Sequence, residues 1–331
     1  MVAMEPAEPA DPATRPLGAH DVAFLICVEA NRLLPQARLL CESIRAFGGP
    51  YREAPIFAVS ARPELALDVE ARRTLEALEV AYVAEPLNET SNPYGSINRI
   101  VAGAWAEAHV TRPYLVVLDT DTVFVGEPSF PRAAAAVRPV DLQGSASTGA
   151  GDPFDPYWAR LCAFAGIDLS ALPYLLTTVD TVRIRASYNG GLTVVRRDLG
   201  VLAQTARVFL RSLAEDLRPR AGSGLDILAS TWFVGRDASE WWGASQAALA
   251  VAIWSKTTDV RVLDERYNIP LHLLASLART WPTGPGLDPI LLHYHYLTEP
   301  EHQVALRRAL ERVGCQQAAR QWIEERLPYF A

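Results

Sequence analysis

The chain has 331 residues, 50% hydrophobic and 21% charged, with a mean hydropathy of +0.05. That is enough apolar material for a packed core, in one large domain or two small ones. A net charge of −7 and a pI near 5.5 argue against a nucleic-acid partner, which needs a basic footprint, but leave small anionic substrates open.

Residues 1–19 are rich in Pro, Ala and acidic side chains and have neither the basic start nor the apolar centre of a signal peptide, so they predict a disordered tail. Val22–Val28 is a short apolar run that predicts a strand, and Leu33, Ala37, Leu40 and Ile44 follow at helical spacing. Pro55–Val59 predicts a second strand, Pro63–Leu78 a helix and Val80–Val83 a third strand. Ile97, Ile100, Val101, Ala104, Trp105 and Ala108 form one stripe of an amphipathic helix, with Ser96 as its N-cap. Tyr114–Leu118 is apolar throughout, as expected for the buried centre of a parallel sheet. This alternation predicts an α/β, doubly wound architecture.

The second half is less regular. Residues 144–157 are dense in turn formers and predict a loop near the site. Leu192–Val195 reads as a strand, Gln246–Ile253 as a helix and Ile290–Tyr296 as a strand. Val304, Leu306, Leu310 and Val313 mark a helix, with another near Gln321–Leu327. No repeat or long linker divides the chain, so the expectation is one domain over 20–298 with a helical C-terminal extension over 299–331. No apolar run approaches the roughly 20 residues that span a bilayer, and a cytoplasmic location is expected. Cys27, Cys41, Cys162 and Cys315 form no C-x-x-C pair and read as buried apolar residues of a reducing compartment. Lys256 is the sole lysine, hence the one candidate for any lysine-dependent step.

The segment PYLVVLDTDTVFVG carries the main chemical signal. Asp119 and Asp121 follow a buried strand at the edge where open α/β sheets bind ligands. Two residues apart in extended backbone, they would face one side and converge on a divalent cation such as Mg²⁺ or Mn²⁺, which can bridge phosphates. A pair of turn-forming aspartates is the alternative. DTDTV also fits haloacid-dehalogenase-like phosphatases, with Asp119 as nucleophile and Asp121 as general acid. Three strand–helix units precede it, however, and no Asp-Asp pair follows.

Beyond this pair, the chain resembles the GT-A glycosyltransferases, especially the retaining family that includes glycogenin and bacterial galactosyltransferases. The resemblance runs over roughly residues 20–300, through SINRIVAGAWAEAH with Arg99, the D-x-D strand, YNGGLTVV, GASQAALAVAI, LDERYNIP with Asn268, and ILLHYHY. It implies a GT-A-type, Rossmann-like sheet, mixed but mostly parallel and flanked by helices. It also implies that Asp119, Asp121 and His293, with His295 as the alternative imidazole, hold Mn²⁺ or Mg²⁺. Arg99 would reach the donor sugar or diphosphate, and Asn189, Gly190 and Gly191 would meet sugar hydroxyls. An Asn-Gly turn and a solvated helix arginine are the plainer readings of those positions.

Two departures matter. Ser245 replaces the acid of the family's Asp-Gln pair, leaving Gln246, so Asp226 or Glu240 would supply the missing carboxylate or act as base. The family's Gly…Lys-Pro-Trp stretch is replaced by YLTEP, which passes diphosphate contacts to Arg99 or Lys256. The expected reaction is transfer of a sugar from a UDP- or GDP-sugar to a hydroxyl of a small molecule or glycan, with retention. VEANRLLPQ after the first strand lacks the glycine-rich loops of nucleotidyltransferases and dinucleotide dehydrogenases. Ser245 also motivates a non-catalytic nucleotide-sugar binder. Trp232, Trp241, Trp242 and Trp254 are either core or faces for a sugar ring.

Overall fold

The structure, a computed structural model, describes residues 15–276 and 287–330. Its first half alternates as the periodicity predicts. β1 (Val22–Cys27) leads into α1 (Leu33–Phe47), β2 (Ile56–Ser60) into α2 (Val69–Glu76), and β3 (Val80–Ala84) into α3 (Ser96–His109), which returns the chain to β4 (Tyr114–Leu118). Next come β5 (Thr122–Phe124), β6 (Ala135–Pro139), α4 (Asp155–Ala165), the hairpin of β7 (Tyr174–Leu176) and β8 (Arg183–Arg185), and β9 (Tyr188–Arg196). α5 (Val201–Ala214), the hairpin of β10 (Ile227–Ala229) and β11 (Trp232–Val234), α6 (Arg236–Ser239) and α7 (Ala244–Lys256) follow. The chain ends through β12 (Val260–Val262), β13 (Ile269–Pro270), α8 (Leu271–Ser276), β14 (Leu291–His293), α9 (Gln303–Arg312) and α10 (Gln317–Glu324).

Some boundaries move for local reasons. The Asp68 carboxylate accepts the Ala71 N–H at 2.8 Å, so α2 starts at Val69 and a separate 3₁₀ turn occupies 63–65. Gly95, not Ser96, is the N-cap of α3, and Ser96 is its first helical residue. The 144–157 loop ends where α4 begins, at Asp155. Of the expected tail, residues 1–14 lie outside the described residues. Leu17 is instead buried, with its N–H bonded to the Phe130 carbonyl at 2.8 Å and its own carbonyl to the Tyr51 hydroxyl at 2.7 Å.

Seven strands form the main sheet in the order β12-β6-β9-β4-β1-β2-β3. β9 runs antiparallel to both β4 and β6, and the remaining pairs are parallel. The mixed, mostly parallel sheet flanked by helices is the architecture the sequence predicts. Strand order reverses between β1 and β4, because α3 carries the chain from the β3 edge back across to the far side of β1. In open α/β sheets the crevice at such a reversal, beyond the carboxyl ends of the strands, is where ligands bind.

Alternation along the strands sends side chains into two cores. Val22, Phe24 and Ile26 of β1 pack with Ala37, Leu40 and Ile44 of α1 on one face. Ala23 and Leu25 pack with Ile97, Val101, Val208 and Val251 of α3, α5 and α7 on the other. A third core joins the C-terminal segment to a small sheet of order β13-β14-β5, with Leu306, Leu310 and Ile323 meeting Val123 and Leu292. Arg326 pairs with Glu42 of α1 at 2.6 Å and Trp322 meets Phe47 edge-on at 5.2 Å, so α10 and the turn after it are docked on α1. All four cysteines are free, and burial pushes the Cys41 and Cys315 thiols up to about 12. Among the described residues no helix is long and apolar enough to cross a membrane.

Candidate active site

The carboxyl ends of β1 and β4 open into a cavity of about 840 Å³, lined by Glu29, Arg99, Asp119, Asp121, Asp141 and His293 among others. The antiparallel direction of β9 brings its start, the Asn189-Gly190-Gly191 segment, to the same edge. The Asp119 N–H donates to the Gly191 carbonyl at 3.3 Å, just past the Leu118–Leu192 pair.

The D-T-D segment is a turn and not extended strand. Both the N–H and the hydroxyl of Thr122 bond the Asp119 carbonyl, at 3.2 and 2.7 Å. Residues 119 and 121 therefore do not share a face as strand alternation predicts. Asp121 turns inward, 5% exposed, and Asp119 pairs with Arg99. β5 starts immediately after this turn and pairs with β14 so that His293 stands opposite Thr122, beside Asp121. The strand then stops: the Tyr294 N–H donates to the Asp121 carbonyl at 3.0 Å and His295 adopts a left-handed φ of 51°. This bend, and not strand alternation, returns His295 to the side of His293, with the two rings stacked 4.3 Å apart.

His293 Nε2 lies 3.2 Å and His295 Nδ1 3.7 Å from Asp121 Oδ2, and the ligand atoms of the three residues all lie within 4.8 Å of one another. His295 Nδ1 is buried without a hydrogen-bond partner. One carboxylate and two imidazoles form a donor set that suits a borderline divalent ion, so the residues present fit a metal. Burial opposes the Asp121 charge, yet His293 and then His295 hold its carboxyl well below the ordinary range. Burial likewise opposes protonation of His293, and Asp121 more than offsets this and raises it. Burial, with His293 adding to it, brings His295 down to about 3. His272, at the start of α8, packs its ring 3.7 Å from that of His295.

Arg99 sits behind this cluster. Besides Asp119 it reaches the Ser245 hydroxyl at 3.4 Å, which in turn bonds the Tyr94 hydroxyl at 3.0 Å. A Cβ on Gly190 would overlap the Arg99 guanidinium, and one on Gly191 would overlap the Asn268 amide and stand 2.8 Å from His293 Nδ1. The two glycines thus make room for protein side chains, not only for a substrate. Asn189 donates to Asp141 at 2.6 Å and accepts the Gly191 N–H at 2.9 Å. Burial pushes the Asp141 carboxyl above its ordinary value, against hydrogen bonds from Thr178 and Asn189.

Gln246 and exposed Asp226 line the cavity. Glu240 and Lys256 do not. The Glu240 carboxylate pairs with Arg218 at 2.8 Å and accepts the Gly222 N–H at 2.9 Å, which fixes a neighbouring loop. Lys256 ends α7, eleven residues or about 16 Å along the helix from Ser245. Trp241 is 1% exposed core, Trp254 bonds the Tyr188 hydroxyl at 2.9 Å, and Trp242 lines the cavity; the Trp232 side chain lies outside the described residues.

Three groups were not anticipated: His272, Asp141, and Glu29. The Glu29 carboxylate, 2% exposed, accepts two bonds from Arg62 at 2.8 Å and one from Asn98 at 2.8 Å. The available signal for Glu29 and Asp141 was an acidic residue two positions beyond a strand of the main sheet.

An acid- and imidazole-lined cavity at the reversal point of a mostly parallel sheet stands where α/β proteins bind their ligands. The Rhodobacterales glycosyltransferase domain family matches residues 24–221, more than half of the 331, and the chain belongs to that family. It is a glycosyltransferase, and the phosphatase and non-catalytic readings give way to that. The match spans Arg99, Asp119, Asp121 and the Asn-Gly-Gly segment and stops before Ser245 and the histidines. Among solved structures, the chain is similar to core-mannan synthase A from Aspergillus fumigatus in its Mn/GDP form. Identity is 10%, coverage 78% of this chain and 80% of that one, and the TM-score 0.46. No curated protein matches the chain.

Proposed function

We propose that the enzyme transfers a sugar from a nucleotide diphosphate donor, a UDP- or GDP-sugar, to a hydroxyl of a small molecule or glycan, with retention and with a divalent ion, Mn²⁺ or Mg²⁺. The observation that carries this is the buried Asp121–His293–His295 cluster at the reversal point of the sheet, in a glycosyltransferase. Asp121, His293 and His295 would hold the ion, which would supply positive charge to bind the diphosphate and offset charge on the leaving group. Arg99 meets the donor from the α3 side, Asn189 orients Asp141 toward the sugar hydroxyls, and Gln246 faces the reacting carbon from the start of α7. Trp242 offers a ring face to the acceptor. Retention is the outcome implied by the resemblance to the retaining family, and the carboxylates that line the cavity name its competitor. Glu29, Asp119, Asp121 and Asp141 already hold basic or amide partners, which among the described carboxylates of the cavity leaves Asp226 for an inverting reaction to recruit as base.

The test is a panel of nucleotide sugars with and without Mn²⁺, read as nucleotide release, followed by proton NMR of the product anomer. Metal-dependent release of UDP or GDP is expected, lost in Asp121→Asn. Equal release in the presence of a chelator refutes the metal-dependent reaction. An inverted anomer, lost in Asp226→Asn, refutes retention.

A further inference from the structure

Among the described residues, the arginines that line the cavity are Arg62, Arg99 and Arg220. Glu29 holds Arg62 through two bonds at 2.8 Å, and Asp119 holds Arg99. Arg220 differs. Among the described residues no carboxylate pairs with it, and its Nε is buried without a hydrogen-bond partner. Burial pulls its pKa below the ordinary arginine value, and no acid counters that pull. Taking a cation out of water without a counter-charge is costly. At the wall of a cavity, such a charge points to a ligand that brings the anion.

The local structure holds the guanidinium there. The Arg220 N–H donates to the Glu240 carbonyl at 3.1 Å, and the Arg220 carbonyl accepts the Ser223 N–H at 3.0 Å. The Glu240 carboxylate itself is taken up by Arg218 and the Gly222 N–H. The side chain reaches Gly144, where a Cβ would stand 3.2 Å from Arg220 Nη2 and where φ is +56°. Glycine suits that backbone and leaves the guanidinium its room. Residues 142–151 of this loop contain no acid.

The place of Arg220 in the fold assigns its anion to one of the two substrates. Gly144 follows β6, and β9 and β4 separate β6 from β1 and β2 in the sheet. The parallel unit of β1 to β4 is the kind that takes a nucleotide, and the Asp121 cluster stands just past β4. Arg220 therefore faces the part of the cavity on the far side of the donor diphosphate, which is left for the acceptor. Resting on the sugar transfer proposed above, we propose that the acceptor carries a carboxylate or phosphate group and that Arg220 holds it. A guanidinium offers two parallel N–H donors to two oxygens of such a group. It also offsets Asp121 and Asp141, whose charges would otherwise repel an anionic acceptor.

The test has a binding arm and a kinetic arm, both on the full chain. In the first, inorganic phosphate, glucuronate and glucose are titrated by calorimetry into the chain without metal or nucleotide. Phosphate and glucuronate should bind at least about tenfold more tightly than glucose. Arg220→Gln should weaken both anions by about tenfold or more, and Arg220→Lys, which keeps the charge, by less. In the second arm, sugar transfer is measured to glucose against glucuronate and to glycerol against glycerol 3-phosphate. The acidic member of each pair should have a KM lower by at least about tenfold, and Arg220→Gln should bring the pair to within about threefold. Where none of these alcohols accepts sugar, the binding arm decides alone. The wild-type comparisons do not depend on any variant folding. Glucose bound as tightly as glucuronate, phosphate bound equally by wild type and Arg220→Gln, or a neutral acceptor used as well as its acidic partner overturns the proposal. So does a rise in donor KM as large as that in acceptor KM, which would move Arg220 to the donor. Metal-dependent nucleotide release persisting beside such a result would leave the transfer standing and remove the acidic acceptor alone.

Discussion

Gly191→Ala separates two physical roles for the glycines that open the long central strand. If Gly191 leaves space for substrate, alanine changes KM and leaves the ligand-free protein alone. The structure says otherwise. The new Cβ would overlap the Asn268 amide and stand 3.0 Å from Asn268 Cγ and 2.8 Å from His293 Nδ1. Both neighbours are buried, at 2% and 4% exposure, and neither gives way easily. Asn268 sits in a turn with a φ of 54°, and His293 is tied into the β14–β5 ladder. Overpacking of this kind costs about 1–3 kcal/mol. The backbone at Gly191 is not left-handed, so alanine returns up to about 1 kcal/mol by restricting the unfolded chain. A net loss of about 1–2 kcal/mol lowers the melting temperature by roughly 2–4 °C for a domain this large. Gly103→Ala is the control, because its Cβ would meet Leu202 at an ordinary 3.5 Å inside α3. There alanine should hold or raise stability by up to about 1 kcal/mol. Thermal melts without ligand read both variants, and a Mn²⁺ titration of Gly191→Ala should show weakened binding through the displaced His293. A Gly191→Ala protein that melts with wild type and binds Mn²⁺ normally would refute the packing role.

Two further expectations concern groups away from the ion. Lys256→Met should leave donor turnover unchanged, because the lysine lies at the end of α7 remote from the cavity; a loss of turnover in a steady-state assay would place it in diphosphate binding after all. Glu42 ties the C-terminal segment to α1, and hydrogen bonds from Arg38, Arg326 and Tyr329 together outweigh burial and hold its carboxyl below the ordinary value. A lowered folded pKa gives stability that is present above the unfolded value of about 4.3 and is lost as pH falls below it. Glu42→Gln should therefore melt below wild type at pH 7 and converge with it under acid. A gap of constant size across that range would refute the assignment.

Legibility in the sequence followed burial. β1 and β4 are buried on both faces, so their apolar runs stood out, and the α1 and α3 stripes were equally plain. The antiparallel direction of β9 was not readable, since an apolar run has no direction and Leu192–Val195 shows only its buried middle. α5 carries a usable apolar signal in Val201, Leu202, Val208 and Phe209, all buried. Within the site, Asp119, Asp121 and the histidines were visible as chemistry but misplaced in geometry, because alternation along a strand was extended over segments that turn. Thr122, closing the turn through both its N–H and its hydroxyl, is the residue that redirects the first aspartate. Glu29 and Asp141 share only their place two residues beyond a strand, a signal that becomes meaningful once the strand ends are known.

The net charge of −7 says little about the cavity, because its buried and half-buried acids are matched locally. Glu29 holds the Arg62 guanidinium, Asp119 holds Arg99, and Asp141 shares its oxygens with Asn189 and Thr178. Asp121 differs in kind. Its neighbours are imidazoles, of which burial drives His295 to its neutral form, so its charge is met by groups that can exchange a proton for a metal. On the proposed function, a dication entering the cavity would find in Asp121 a carboxylate whose partners are potential ligands, while Glu29 and Asp119 hold guanidinium groups, Asp141 holds an amide and a hydroxyl, and Asp226 is exposed.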